Sequence, residues 1–312
     1  MPRVGGTLHI TNGDSVLYLF RKAGFVGTQI AWRDVLHEGP VPAGPLEATS
    51  GIRAKYLVER GYGNAIKINR EFEVRDATLR RAGEFDEIVL WFEHDLYDQL
   101  HVLQILDTLA GSELEPGRIS MVQSDNYLGM LDVDELSALL PKRRTVTEGI
   151  MASAREAWTA FTGADPSALV HFTREERLGL PFLRPAFARL CEEYPAADGL
   201  SRSQRGALES LARGPARDDE LFRRAQAREE ASFMGDASFY AVLGELAAAP
   251  SPAIEGPSGE RTATAIGRRL LAGDGDWLAT QTIDRWIGGV RLTAENCWRY
   301  DERARAFAKS GA

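Results

Sequence analysis

The sequence predicts an α/β protein with a Rossmann-like, mostly parallel sheet at its N-terminus, a helical middle and a winged-helix-like C-terminal domain. Three observations carry that prediction. Strand-like and helix-like runs alternate over the first 130 residues, as βαβ units require. The run Asp86-Glu87-Ile88-Val89-Leu90 is apolar enough for a strand buried on both faces. Beyond residue 200, three helical segments precede two short runs that flank Gly256-Pro257-Ser258-Gly259, the order of a winged helix.

The elements follow in order. Thr7-Leu8-His9-Ile10-Thr11 reads as a strand, and Asn12-Gly13-Asp14-Ser15 as a turn. Asp14 or Ser15 is expected to cap the following helix, which carries Val16, Leu17, Leu19 and Phe20 and is expected to end at Gly24. Residues 28–32, 87–92 and 118–123 read as further strands. Between them, Arg33 to Pro42 reads as a loop and 51–82 as helical, with Tyr56, Leu57, Ile66 and Ile68 inward. Leu100–Leu109, 132–140 and 148–163 read as helices, and prolines punctuate a helical stretch to about 195. Ala196-Ala197-Asp198-Gly199 is the linker candidate, giving domains at 1–145, 146–197 and 198–312. In the last domain Ser201 or Ser203 caps a first helix, the second spans about 218–233 and the third 237–248. A short helix at 266–271 follows the wing, and Trp286–Leu292 reads as a strand with a Gly-Gly kink.

Composition narrows the function. The 312 residues are 44% hydrophobic and 26% charged, ordinary for a globular protein. No apolar run reaches the roughly 20 residues that cross a bilayer, so no membrane partner is expected. Met1 to Gly6 lacks the long apolar region of a signal peptide, and Cys191 and Cys297 sit in no metal-type spacing. The expectation is a cytoplasmic protein with two free, buried thiols. Net charge is −8, and residues 201–312 contribute 16 basic and 16 acidic side chains, so the whole excess falls in the first 200. That acidic part should repel phosphate backbones.

If the four strands are parallel, their C-terminal ends share one edge, where ligands bind in open α/β sheets. The loops there carry Asn12, Gly13, Asp14 and Ser15; Arg33 and His37; Glu93, His94, Asp95, Asp98 and Gln99; and Asp125 and Asn126. Four of the five histidines (His9, His37, His94, His101) precede residue 102. The candidate catalytic residues are His94, His37, Asp98 and Glu93. Either histidine would act as acid or base. Asn12, Gly13, Asp14, Ser15, Arg33, Gln99, Asp125 and Asn126 are the candidate ligand-binding residues. Asp14 and Asp98 would orient the ligand or a metal, while Asn12 and Gln99 would position it. Arg33 could meet an anionic substrate, or pair with Asp34 or Glu38. Asp95 reads chiefly as the cap of the next helix. Neighbours on an extended segment diverge, so Glu93-His94-Asp95 is not assigned as a metal triad, and no cofactor is identified. Asp14 disfavours a bare phosphate cradle, and neither GxxxxGK[ST] nor GxGxxG is present. His9, mid-strand, reads as a core histidine.

In the C-terminal domain Arg223, Arg224 and Arg228 lie on the expected second helix, with Arg261, Arg268 and Arg269 near the wing. The third helix has one charge, Glu245, and no Arg or Lys, unlike a major-groove reader. A structural or protein-contact role is therefore preferred to DNA binding.

Three stretches together resemble an uncharacterised bacterial family, domain of unknown function number eighteen thirty-five. They are Leu8-His9-Ile10-Thr11-Asn12-Gly13-Asp14-Ser15, His37-Glu38-Gly39-Pro40 and Trp91-Phe92-Glu93-His94-Asp95-Leu96-Tyr97-Asp98-Gln99. The resemblance covers roughly residues 7–130. Family members continue into a helical region and a part like Phe233-Met234-Gly235-Asp236 and Trp286-Ile287-Gly288-Gly289-Val290. Some relatives carry a Gly-Glu-Asn type sequence in place of Glu93-His94-Asp95, so the resemblance implies no fixed metal triad there; Asp98-Gln99 is closer to the family pattern. It implies no established reaction.

The expected function is therefore an enzyme on a small polar or nucleotide-like substrate. The alternatives are a ligand-sensing DNA-binding regulator and a protein-interaction module. A small polar ligand is the expected partner, and self-association is left open.

Overall fold

The computed structural model describes residues 5–112, 114–248 and 250–309. Its N-terminal part is a five-stranded sheet in the order β2-β1-β3-β4-β5. The strands are β1 (Thr7–Thr11), β2 (Thr28–Ala31), β3 (Glu87–Glu93), β4 (Ile119–Ser124) and β5 (Arg144–Thr145). The first four are parallel, and β5 runs antiparallel to β4. From β1 the chain steps outward to β2, then crosses back to β3 on the other side of β1. That reversal is a topological switch point, the place where ligands bind in open α/β sheets.

The apolar run of β3 explains its central place. Ile88, Leu90 and Phe92 enter the main core with Leu8, Ile10, Met121, Leu100 and Leu103. Val89 and Trp91 point the other way, onto Val16, Phe20, Leu128 and Leu136. Successive side chains of a strand face opposite sides, so the run Ile88–Phe92 is apolar because both faces of β3 are covered.

Helix α1 (Asp14–Lys22) covers one face together with α5 (Val133–Ser137). Its end is as expected: Gly24 has φ +71°, and the Phe25 N–H reaches the Phe20 carbonyl at 3.0 Å. Its start is not. Gly13 occupies the cap position, and no side chain caps the helix. Asp14 is already within the first turn, held by Arg33. The stretch read as one helix over 51–82 is two, α2 (Leu46–Glu59) and α3 (Ala65–Arg80). Gly61, at φ +79°, stops the first, and Asn64 restarts the second by accepting from the Lys67 N–H at 2.8 Å.

Helix α4 (Leu96–Ala110) lies on the opposite face, and α6 (Glu148–Thr162) packs on α4. Helices α7 (Leu169–Arg174) and α8 (Leu183–Cys191) follow, packed on each other. The linker candidate is not an exposed tether. Asp198 and Gly199 are buried, and the Trp277 N–H donates to the Asp198 carbonyl at 2.8 Å.

Beyond it come α9 (Arg202–Ser210), α10 (Asp218–Gln226) and α11 (Asp236–Leu246). Helix α10 stops at Gln226, seven residues short of expectation, and the Gln226 side chain donates to the Met234 carbonyl at 2.6 Å. Strands β6 (Ile254–Glu255) and β7 (Thr262–Ala263) form an antiparallel hairpin, and a bridge joins Ala216 to Arg261. Helix α12 (Ala265–Leu271) follows. Trp286–Leu292 is a hairpin rather than a kinked strand: β8 (Arg285–Ile287) and β9 (Val290–Leu292) turn at Gly288-Gly289. A last hairpin, β10 (Trp298–Asp301) with β11 (Ala306–Lys309), was not apparent from the sequence. Cys191 and Cys297 are free and buried. No helix among the described residues is long and apolar enough to cross a membrane.

Candidate functional site

The loops after β1 and β3 meet at the switch point. Asn12 leaves β1 and donates through Nδ2 to both carboxylate oxygens of Asp98, at 2.9 and 3.1 Å. Asp98 sits in the first turn of α4, where its Oδ2 also accepts the Glu93 N–H at 2.5 Å. Asp95 caps that helix, its Oδ1 accepting the Asp98 N–H at 3.0 Å. Glu93 closes the group: its Oε1 accepts the Leu128 N–H at 2.7 Å. Carboxylate oxygens of Glu93, Asp95 and Asp98 lie within 4.8 Å of one another. The three residues are only 5%, 4% and 0% exposed.

Three carboxylates cannot all ionise cheaply in so dry a place. Burial pushes the Asp98 carboxyl well above its usual range, and the charges of Asp95 and Glu93 push it further. Burial raises Asp95 to about 7 against the amide donors of its cap, with Glu93 adding to the rise. Glu93 is raised by burial too, opposed by the Leu128 N–H. Two chemical states relieve the repulsion. The trio can share protons near neutrality as one titrating unit. It can also present three oxygen ligands to a hard divalent cation.

The other candidates divide clearly. Gln99 is inside the junction, where its Nε2 donates to the Glu93 carbonyl at 2.7 Å and ties strand to helix. His94 is not part of the trio. Its ring stands between Tyr127 and Phe182, at centroid distances of 5.3 and 5.9 Å, and its Nδ1 is buried without a partner. Asp14 and Arg33 are bound to each other, and Arg33 also faces Glu71 at 3.7 Å. The expected partner of Arg33, Asp34, is instead taken by buried Arg53 at 2.8 Å. Gly13 supplies the α1 cap position, and Ser15 lies against Gly129, where a Cβ would come within 2.7 Å of its Oγ. Asp125 and Asn126 are exposed and bonded to each other at 3.1 Å.

His37 is buried beside Tyr97 and Phe233 and lines a separate cavity. His9 is the core residue expected, its Nδ1 accepting the Trp91 indole N–H at 3.1 Å. The residue that sequence reasoning left out of the site is Asp95. A signal for it existed: residues two apart on an extended segment share a side, so Asp95 returns to the side of Glu93 while His94 does not.

The chain's C-terminal part covers this edge. Tyr127 Oη donates to the Ser232 carbonyl at 2.9 Å, and the Phe233 ring meets His37 edge-on. No protein-family model matches the chain, and no curated protein matches it.

Proposed function

We propose that this chain is an enzyme acting on a small polar, nucleotide-like substrate at the β1/β3 switch point. The observation that carries the reading is the convergence of Glu93, Asp95 and Asp98 there, three buried carboxyls with raised proton affinity. A carboxyl that titrates near 7 is matched to proton transfer at neutral pH. In this reading the Asp95–Asp98 pair holds the proton that is delivered, and Glu93 is the partner that returns it. Asn12 fixes Asp98. His94, held between the Tyr127 and Phe182 rings, is assigned to hydrogen-bond the substrate through its unpartnered Nδ1. We place the chain with the uncharacterised family eighteen thirty-five on the same stretches, since two of them supply Asn12 and the trio.

We also read residues 198–312 as winged-helix-like, on the order of three helices and a hairpin with the Ala216–Arg261 bridge. Its chemistry supports a covering role over DNA binding. Arg223, Arg224, Arg228, Arg261 and Arg269 are paired with Asp219, Glu220, Glu209, Asp218 and Asp274, and Arg268 donates to the Ala263 carbonyl at 2.5 Å. On α11, Ser238 bonds Tyr62 of the N-terminal part at 2.7 Å.

The test begins with mass spectrometry of protein purified under native conditions, to identify a co-purifying metabolite. Asp98→Asn and Glu93→Gln should then lower its turnover by about 10²-fold or more, with the fold retained by circular dichroism. Full turnover in both variants removes the trio from the chemistry.

A further inference from the structure

A second polar cavity, of about 150 Å³, lies between the loop that follows β2 and the C-terminal part. Its lining includes His37, Glu38 and Tyr56 on one side, and Glu193, Glu245, Arg285 and Trp286 on the other. No member of the carboxylate trio lines it, so it does not depend on the function proposed above.

Two independent features point to a ligand. The first is His37. It is 4% exposed, yet neither ring nitrogen has a hydrogen-bond partner. Burial lowers its pKa to about 3, so the ring is neutral, with one donor and one acceptor to satisfy. Leaving such buried groups without a partner is costly to the fold. A hydroxyl can serve either nitrogen, because it both donates and accepts.

The second feature is charge. Glu193 takes Arg189 at 2.7 Å and Arg285 at 2.6 Å, so its charge is answered within the fold. Glu38 and Glu245 hydrogen-bond to neutral donors, the Tyr62 hydroxyl at 2.5 Å and the Gln204 amide at 3.0 Å, and share the electrostatic reach of Arg285, which bonds Glu193. Arg60 lies exposed at the rim, and Asp284 is held by Arg291 at 2.8 Å. Carboxylates therefore exceed guanidiniums within the cavity, and Trp286 adds an aromatic ring to its wall; Tyr56, also in the wall, already carries the Arg53 guanidinium over its ring at 4.9 Å. Acidic groups with aromatic faces recognise organic cations. The volume equals about five waters at ~30 Å³ each, which limits the occupant to a few heavy atoms.

We propose that this cavity binds a small hydroxyl-bearing organic ammonium ion, with its ammonium toward Glu38 and Glu245 and its hydroxyl on His37.

Isothermal titration calorimetry of the full chain tests it, with choline and ethanolamine as probes. 3,3-Dimethylbutan-1-ol, which keeps the shape and hydroxyl of choline without its charge, is the control. At least one amine should bind at one site per chain, and the neutral alcohol about tenfold or more weaker than choline. Glu38→Gln and Glu245→Gln should each weaken the bound amine about tenfold with an unchanged unfolding temperature; if Glu245→Gln disturbs the fold through Gln204, Glu38→Gln decides. His37→Gln, which keeps a donor and an acceptor, should retain more affinity than His37→Leu. No saturable heat from either amine overturns the proposal. So does equal binding of the neutral alcohol, or an affinity untouched by removing either carboxylate.

Discussion

Asp95 carries two roles that act in opposite directions on stability. As the cap of α4 it accepts the Asp98 N–H, which favours folding. As a member of the trio it brings a third charge to a buried site. Its carboxyl titrates at about 7 in the folded chain, against about 3.9 when unfolded. Between those values the folded state holds the extra proton, so its contribution is full below about pH 4 and is lost as pH rises toward 7. Asparagine caps as well as aspartate and carries no charge. Asp95→Asn should therefore approach the parent near pH 4 and melt above it by at least about 2–4 °C at pH 8. Asp95→Ala should lie below Asp95→Asn at both pH values, by about 1 kcal/mol for the lost cap. Neutral His37 and His101, both lowered to about 3 by burial, add a separate loss of stability as pH falls below about 6.5. That loss is common to parent and variants and cancels in the difference. Thermal unfolding at the two pH values checks this, and a difference that does not change with pH would falsify it. At this scale the sequence disclosed which residues stand at the junction, because a strand end and a helix start are local signals. It did not disclose pairings such as Arg33 with Asp14 or Asp34 with Arg53, which depend on how separate segments lie in space.

The β8–β9 hairpin shows where element-level reading succeeds and where it needs the fold. Two glycines between Trp286-Ile287 and Val290-Leu292 form a two-residue turn signal, which reads wrongly as a kink when the run is taken as one strand. The break between α2 and α3 was legible in the same way, from Gly61 and Asn64. Locally invisible is what the turn touches. Gly288 has φ +57°, and a Cβ there would come within 2.1 Å of the Phe161 carbonyl oxygen at the end of α6. The Gly289 N–H donates to that same oxygen at 3.0 Å, and the Gly288 carbonyl accepts the Val41 N–H at 2.8 Å. Gly288→Ala should thus cost more than the ~1 kcal/mol of a left-handed alanine, reaching about 3 kcal/mol with the clash. Gly24→Ala is the control: its φ is +71°, but a Cβ there meets nothing within 4 Å. Urea titration should rank Gly288→Ala clearly below Gly24→Ala; equal losses would mean that the turn is not seated on α6.

For the whole molecule, the mostly parallel sheet is N-terminal and the small antiparallel hairpins are C-terminal, and packing crosses the stretch between them. Ala196 to Gly199 has the composition of a linker, yet a Cβ on Gly199 would come within 2.4 Å of Asp276 Oδ1, so this turn is packed against a distant segment. One apolar core runs from Leu8 through Phe161 and Leu190 to Tyr300. Glu193 makes the dependence sharper. Burial alone would raise its carboxyl, and Arg189 and Arg285 hold it down to about 2. Removing residues beyond 197 takes away Arg285 and leaves that carboxylate with one guanidinium, and breaking a buried pair costs roughly 3–5 kcal/mol. The same cut uncovers the sheet edge beneath Ser232 and Phe233. That total is a large share of the 5–15 kcal/mol by which a domain is stable. The full chain should therefore unfold in a single calorimetric transition whose van't Hoff and calorimetric enthalpies agree. Residues 1–197 alone should show no cooperative transition. Duplex DNA should leave the transition of the full chain unmoved, because a ligand raises it only by binding the folded state, and Arg223, Arg224, Arg228, Arg261 and Arg269 already hold carboxylates while Arg268 holds a backbone carbonyl. Two separate transitions, or an independent melt of residues 1–197, would show that the C-terminal part is a domain in its own right; a DNA-dependent rise would return it to the nucleic-acid reading.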